Sequence, residues 1–320
     1  MSGILGTAIS YMGNYFASGI SEPIVLHRGE GIQIQLATQP PKAGTVEFVD
    51  LPGVSIDSTS YYNEKFKGIR KIAKVWEEQQ YDSEDANKVV GVFLFERERA
   101  KTGEKTSQML PYLQNEYSSI KQFIAYVSII TQKSLTWGEP ALIGKADQYD
   151  TVFRNSEDVQ VQWNFPDAVL DGKEDPFNNE ERKELQTIYC GKRISVLLDY
   201  APIADLHFLF ITNAPKRNLF ELDEEDHLEA MRLKEKLIRH YAGKFQDQIV
   251  NVMLSVHSSA GQSVGRCHWH VVLTDGVGQE RQGQKNSGWK MVKLLKPLSD
   301  DEIRRRVTDL KAELLTILEE

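Results

Sequence analysis

The stretch GQSVGRCHWHVVL at 261–273 constrains the fold more than any other part of the sequence. From residue 266 onward, cationic and imidazole side chains alternate with apolar ones, and in a β-strand alternate residues lie on opposite faces of the sheet. The face that packs on a core carries Cys267, Trp269, Val271 and Leu273. The opposite face carries Arg266, His268 and His270. This alternation predicts a sheet that is covered on one side and keeps a polar face on the other.

The rest of the second half supplies the elements of such a sheet. Apolar runs predict strands at 193–198, 206–212, 249–258 and 264–273. An apolar stripe at helical spacing predicts a helix that begins after Asp223 and ends near Ala242, and Ser299 caps a last helix. The order strand–strand–helix–strand–strand–helix, with mostly antiparallel pairing, predicts an α+β fold.

The first half also predicts α+β structure, although its patterns are weaker. The expected elements are strands at 44–50 and 88–99, helices at 61–80 and at 108–133 with a break near Pro111, strands within 151–165, and a linker at 166–182. We expect two regions, one spanning 1–150 with no assigned role and one spanning 151–320 that carries the site.

Composition limits the class of protein. The formal net charge of -8 and the isoelectric point near 5.5 argue against general nucleic-acid binding, which needs a basic surface. Two cysteines, Cys190 and Cys267, form no metal-binding pair and favour a reducing, cytoplasmic location. Residues 1–21 lack the basic start and solid apolar core of a secretory signal; we expect an ordered or frayed arm there, with membrane contact as the alternative.

The polar face of the strand at 264–273 suits phosphate chemistry. Neighbouring side chains on one face lie about 6–7 Å apart, so a guanidinium and two imidazoles form a cationic row beside the small turn SSAGQS. Imidazole can attack phosphorus and form a phospho-histidine intermediate. Two alternatives stay open: an ordinary polar strand face, or a metal site in which His207 or Asp199 is the third ligand.

The same stretch resembles the signature of the histidine-triad (HIT) superfamily, GQ[ST]V-x-H-x-H-x-H. Gly261, Gln262, Ser263 and Val264 match its first four positions, and Arg266, His268 and His270 occupy its three triad positions. The segment LLDYAPIADLHFLFI resembles a second family segment, with Asp199 and His207 at its functional positions. The resemblance covers about residues 185 to 297 and implies an antiparallel HIT-like sheet with flanking helices.

The resemblance also implies a role for each matched residue. His268 is the expected nucleophile on the α-phosphate of a nucleotide conjugate, and His270 binds phosphate oxygens or the leaving group. Three residues are expected at the phosphate: His207, Gln262 and Ser263. Asp199 is expected at the ribose, and Leu197 and Leu198 at the base. Ser255 occupies a polar position of the preceding strand and is also expected to contact the nucleotide. Arg266 departs from the family, because arginine cannot accept a proton where the family has a histidine. A second register, in which His270 is the nucleophile, fits the GQSV spacing less well.

These observations predict a nucleotide hydrolase or nucleotidyltransferase that needs no metal or other cofactor. The alternatives are a non-catalytic module that binds a nucleotide or a protein, and a metal-dependent hydrolase. The first half has a weak echo of the second, VFLFERER against HFLFITNA, and lacks histidines there. It is therefore either a degenerate half-domain that replaces the partner subunit of a homodimer, or a separate region with its own role.

Overall fold

The structure is a computed structural model. It describes residues 23–37, 44–53, 57–82, 89–113, 143–155, 159, 161, 175–257, 260–262, 264–275 and 297–319. The strands are β1 Val25–Arg28, β2 Ile32–Leu36, β3 Val46–Asp50, β4 Val89–Arg99, β5 Glu104–Leu113, β6 Thr187–Cys190, β7 Ile194–Leu198, β8 Leu206–Thr212, β9 Gln248–Val256 and β10 His268–Asp275. The α-helices are α1 Ser58–Asp82, α2 Ala146–Asn155, α3 Glu180–Gln186, α4 Glu224–Tyr241 and α5 Asp300–Glu319, and short 3₁₀ turns span Pro176–Asn178 and Leu219–Glu221.

The described strands form one ten-stranded antiparallel sheet in the order β1-β2-β3-β5-β4-β9-β10-β8-β7-β6. Counted from its outer edge inward, one half of the sheet has the order β1-β2-β3-β5-β4 and the other half has the matching order β6-β7-β8-β10-β9. In each half a long helix follows the third strand along the chain, α1 in the first half and α4 in the second. The two sets meet where β4 pairs with β9, from Val92 opposite Val256 to Arg99 opposite Ile249. The predicted α+β class and antiparallel sheet are confirmed, and the division at residue 150 stays a prediction.

One face of the sheet carries the main core. Trp269, Val271 and Leu273 of β10 are buried there, as the alternation predicts. The predicted apolar stripe of α4 is buried against the same face, and it comprises Ala230, Leu233, Leu237 and Tyr241. The side chains of His268 and His270 alternate with these buried residues and lie on the opposite face. Two smaller apolar clusters lie on that face, one of them formed by Phe177, Leu197, Leu209 and Ile211.

Three predicted elements are wrong. Residues 104–113 form strand β5 and do not begin a helix, because ten residue pairs with β4 stabilise them as a strand. Among the described residues, β3 pairs with β5 only at Met109 and Gln108, so no described strand pairs with Pro111 on that side and the proline is tolerated. The rest of the predicted helix, 114–133, lies outside the described residues.

The two other errors concern residues 146–155 and 176–186. Residues 146–155 form α2, since Tyr149 and Phe153 lie four residues apart and are both buried. Residues 176–186 form a 3₁₀ turn and α3, which Asn179 caps by accepting a hydrogen bond from the backbone N–H of Arg182. The region taken for a linker is thus folded from residue 175 onward.

No helix among the described residues is both long and apolar enough to cross a bilayer. Residues 1–21, for which we expect an arm with membrane contact as the alternative, lie outside the described residues.

Candidate active site

Pairing in the second half brings the predicted histidines together on one face of the sheet. Strand β10 lies between β8 and β9, with His270 opposite Leu209 and Val272 opposite His207. His207 therefore lies on the same face as His270. Asp199 follows β7 directly, and its carboxylate reaches both imidazoles. The four candidates Asp199, His207, His268 and His270 form one cluster.

The position of the proton on His268 follows from its hydrogen bond. Nδ1 of His268 lies 2.7 Å from the carbonyl oxygen of Arg266. A carbonyl oxygen only accepts, so Nδ1 carries the proton and donates. In the neutral ring the lone pair is then on Nε2. Burial and the neighbouring His270 lower the pKa of His268 to about 4, so the ring is neutral at pH 7.

A second chain of hydrogen bonds assigns the proton of His270. Nδ1 of His207 accepts the backbone N–H of Ile203 at 3.3 Å, so the proton of neutral His207 is on Nε2. Nε2 of His207 lies 3.0 Å from Nδ1 of His270 and 3.4 Å from a carboxylate oxygen of Asp199. His207 donates to Nδ1 of His270, which leaves the proton of His270 on Nε2.

The charges around this chain are consistent with that assignment. Burial lowers the pKa of His207 to about 4, although Asp199 opposes this shift. Burial alone would raise the pKa of Asp199, but His207, His270 and the backbone N–H of Ala201 hold it well below its usual range. At neutral pH the cluster therefore holds one carboxylate and a neutral His207 and His268.

Arg266 is buried and its side chain is bound to protein groups. Its guanidinium donates to Asp175 at 2.6 Å and to Asn178 at 2.6 Å. It also donates to the carbonyl oxygens of Thr212 at 3.2 Å and Asn213 at 3.4 Å. These bonds engage the guanidinium of the predicted cationic row with protein groups, and its contact with phosphate stays a prediction.

Gln262 anchors the turn before β10. Its amide oxygen accepts the backbone N–H of His257, and its amide nitrogen donates to the carbonyl oxygens of Arg217 and Val264. His257 itself has φ 70°, a left-handed conformation that this tight turn requires. The side chain of Gln262 thus shapes the turn, and contact with phosphate stays a prediction.

The remaining predicted residues divide between the two faces. Ser255 lies on the site face, since it is two residues along β9 from Met253, which pairs with His270. Leu197 also lies on the site face, packed with Phe177. Leu198 belongs to the main core on the helix side, because it alternates with Leu197 along β7, and its assignment to a base pocket is corrected. Ser263 lies outside the described residues.

Sequence reasoning missed the residues of the turn at 175–178. The Phe177 ring packs edge-on against His268, with centroids 6.1 Å apart. Asp175 accepts the backbone N–H of Phe177 and also binds Arg266. The available signal was Asp-Pro before an aromatic residue, which is typical of a capped turn.

Three of the clustered groups have the geometry of a metal site. Ligand atoms of Asp199, His207 and His270 all lie within 4.8 Å of one another. A histidine that binds metal normally donates its other ring N–H to a neighbour. Nδ1 of His207 instead accepts from Ile203, so Nε2 keeps its proton and does not offer a lone pair to a metal. The cluster fits a hydrogen-bonded relay better than an ion.

A comparison with protein families matches the part of the chain that carries this cluster. The family model of the HIT domain matches residues 180–277. The chain contains a HIT domain. The match spans the four clustered residues and supports a nucleotide hydrolase or nucleotidyltransferase kind of activity. No curated protein matched the sequence.

Solved structures with similar folds include HIT-like and GalT-like proteins. A GalT-like protein from Arabidopsis thaliana is 10% identical with a TM-score of 0.46, and the match covers 87% of this chain and 83% of that one. An ADP-glucose phosphorylase from the same plant, solved with bound ADP-glucose, is 11% identical with a TM-score of 0.41 over 82% and 72% of the chains. The NitFhit protein of C. elegans is 14% identical with a TM-score of 0.32, and the match covers 41% of this chain but only 27% of that protein.

Proposed function

We propose that this HIT-domain protein is a nucleotide hydrolase or nucleotidyltransferase that attacks the α-phosphate of a nucleotide conjugate through Nε2 of His268. The observation that carries the proposal is the hydrogen bond from Nδ1 of His268 to the carbonyl of Arg266. It directs the lone pair to Nε2, and the lowered pKa of about 4 keeps that lone pair free at neutral pH.

The first step forms the bond between Nε2 of His268 and phosphorus and breaks the bond from phosphorus to the leaving oxygen or nitrogen. The ring then carries positive charge, because Nδ1 keeps its proton. The carbonyl oxygen of Arg266 stabilises that charge by accepting a stronger hydrogen bond. The leaving group takes the bonding electrons.

His270 supplies the proton that the leaving group needs. Its Nδ1 accepts from His207, so Nε2–H is the group available to donate. As Nε2–H of His270 passes to the leaving atom, Nδ1 of His270 takes a proton from solvent, and the carboxylate of Asp199, 3.6 Å away, accepts the new N–H. The ring of His270 stays neutral and His207 keeps its own proton. Attack by water or by a second substrate on the nucleotidyl-histidine releases His268.

The test is a metal-free incubation with phosphoramidates, dinucleoside polyphosphates and nucleotide sugars of adenosine and guanosine, followed by product separation and by isolation of the protein in alkali. Alkali preserves a phosphorus–nitrogen bond on histidine. We expect turnover and a nucleotide mass added to His268, both lost in His268→Ala. His240→Ala is the matched control, since His240 lies on α4 and binds Glu313 outside the site.

Other outcomes contradict the proposal in separate ways. Nucleotide binding without turnover on any conjugate favours the binding module. Turnover that a chelator removes and zinc restores favours a metal-dependent hydrolase at Asp199, His207 and His270. Labelling of His270 in place of His268 supports the second register.

A further inference from the structure

The first triad position holds an arginine whose contacts converge on the proposed nucleophile. Arg266 is only 3% exposed, and its guanidinium forms four hydrogen bonds, two to side chains of the turn at 175–178 and two to carbonyl oxygens at the end of β8. Arginine suits this place because its planar fork presents several donors in fixed directions.

Asp175 links this clamp to the turn that covers His268. One carboxylate oxygen of Asp175 binds Arg266, and the other accepts the backbone N–H of Phe177 at 2.9 Å. The guanidinium therefore holds the segment that places the Phe177 ring against the imidazole. Phe177 is in turn packed on Leu197 and other apolar residues of the site face.

Arg266 also supplies the acceptor that orients the nucleophile. Its own carbonyl oxygen accepts from Nδ1 of His268, and the side chain anchors the same residue to β8. The following backbone N–H, that of Cys267, donates to the carbonyl of Lys216 at 2.7 Å. The backbone is thus held on both sides of the carbonyl that selects the tautomer.

We propose that Arg266 is a positioning residue that clamps the turn at 175–178 to β8 and so holds its own carbonyl and the Phe177 ring against two sides of His268. It replaces the proton-carrying first histidine of the triad by a rigid clamp. The inference rests on the proposed function for its catalytic meaning, while the orientation of His268 is measurable without any substrate.

The test compares Arg266→Lys and the milder Asp175→Asn with wild type in the full chain. Lysine keeps the charge but lacks the planar fork, and asparagine keeps the shape of Asp175 without its charge. The first readout is the ¹⁵N spectrum of histidine-labelled protein, with the His268 signal assigned from His268→Ala. We expect wild type to show protonation at Nδ1, and both variants to show a mixture of tautomers.

The second readout is kinetic. We expect kcat to fall about 100-fold in Arg266→Lys, as for a misplaced reacting group, while KM changes little. We also expect the acid limb of its pH–rate profile to lie at a different pH from that of wild type. Guanidinium ion added to Arg266→Ala restores part of kcat. Arg99→Lys is the matched control, because Arg99 binds buried Asp247 and so joins β4 to the start of β9. We expect this variant to have a lower melting temperature and an unchanged His268 tautomer.

The proposal is overturned if both folded variants keep a single Nδ1–H tautomer and the kcat of wild type, because Arg266 would then act only on stability. It is also overturned if Arg266→Lys raises KM alone, which is the result for an arginine that binds phosphate. Absence of turnover in wild type rejects the proposed function, and the tautomer spectrum still decides the clamp.

Discussion

His268 and His270 differ in proton position although they lie two residues apart on one strand. His268 donates through Nδ1 to a carbonyl, whereas His270 accepts through Nδ1 from His207. One ring therefore offers a lone pair at Nε2 and the other offers a proton there. This difference is the basis on which we propose His268 as the nucleophile and His270 as the general acid.

We predict that the acid limb of kcat/KM reports His268 near pH 4. Burial and His270 depress the pKa of His268 from 6.5, so the neutral nucleophile persists as pH falls and is lost by protonation only below that value. Initial rates between pH 3.5 and 8, with circular dichroism to confirm folding, test this. A limb between pH 6 and 7 would contradict a desolvated nucleophile.

We predict that His207→Phe lowers kcat about 100-fold or more, within the range of lost general acid catalysis. Without His207, the neutral ring of His270 takes the other tautomer, with its proton on Nδ1 donated to the carboxylate of Asp199, 3.6 Å away. Nε2 of His270 then carries no proton for the leaving group. The variant should keep most of its kcat on conjugates with a good leaving group such as p-nitrophenol, which leaves without a proton. An equal loss of kcat on all substrates would refute this role of His207.

At the scale of elements, α4 carries a buried histidine that its charged sequence conceals. His227 is 4% exposed and stacks on Phe66 of α1 with ring centroids 4.7 Å apart. Neither of its ring nitrogens has a hydrogen-bond partner among the described residues. Burial lowers its pKa to about 3. It serves as an aromatic spacer between α1 and α4.

We predict that His227→Phe raises the free energy of unfolding at pH 7 by about 1–2 kcal/mol, since it removes unpaired buried nitrogens and keeps the stacked ring. Below pH 6.5 the unfolded chain binds a proton at His227 that the folded protein does not take, so wild type loses stability as pH falls towards 3. The variant lacks this contribution. Urea unfolding from pH 4 to 7 measures both effects. His240→Phe should not stabilise, because half-buried His240 is bound to Glu313 and its loss removes that contact.

At the scale of the whole molecule, a buried ionic cluster joins the two sets of strands. Glu96 of β4 binds Lys65 of α1 and, at 3.0 Å, Lys234 of α4. Burial alone would raise the pKa of Glu96, but the two lysines hold it well below its usual range. Together with the pairing of β4 and β9, the cluster couples the first half to the HIT domain.

We predict that Glu96→Gln lowers the free energy of unfolding by about 3 kcal/mol, because it leaves two buried lysines without a carboxylate. Asp150→Asn is the control, since the pair of Asp150 with Arg154 is exposed and contributes about 0.5 kcal/mol. Calorimetry of the full chain measures both. A single transition that shifts as a whole supports coupling of the halves, whereas separate transitions would contradict it.

The described elements from residue 193 onward could be predicted from sequence because their signals are local. Strands β7 to β10, helices α4 and α5, and the two faces of β10 follow from periods of two and of three to four residues. Motif spacing also predicted Asp199, His207, His268 and His270 as site residues, and in the structure these four lie in one cluster. Strand β5 could not be predicted, because only its pairing with β4 distinguishes it from a helix, and Leu198 was misassigned by one residue of strand register.

The sequence by itself determined the fold class, the polar face of β10 and the histidines on it, because periodicity and motif spacing act over a few residues. Tertiary structure decided the joining of the two strand sets at β4 and β9, the proton positions of the three site histidines, and the clamp of Arg266 on Asp175. Those features depend on partners distant in the chain, such as Asp175 and Arg266, which are 91 positions apart. Hydrogen-bond partners at that separation are set by packing, which no local pattern encodes.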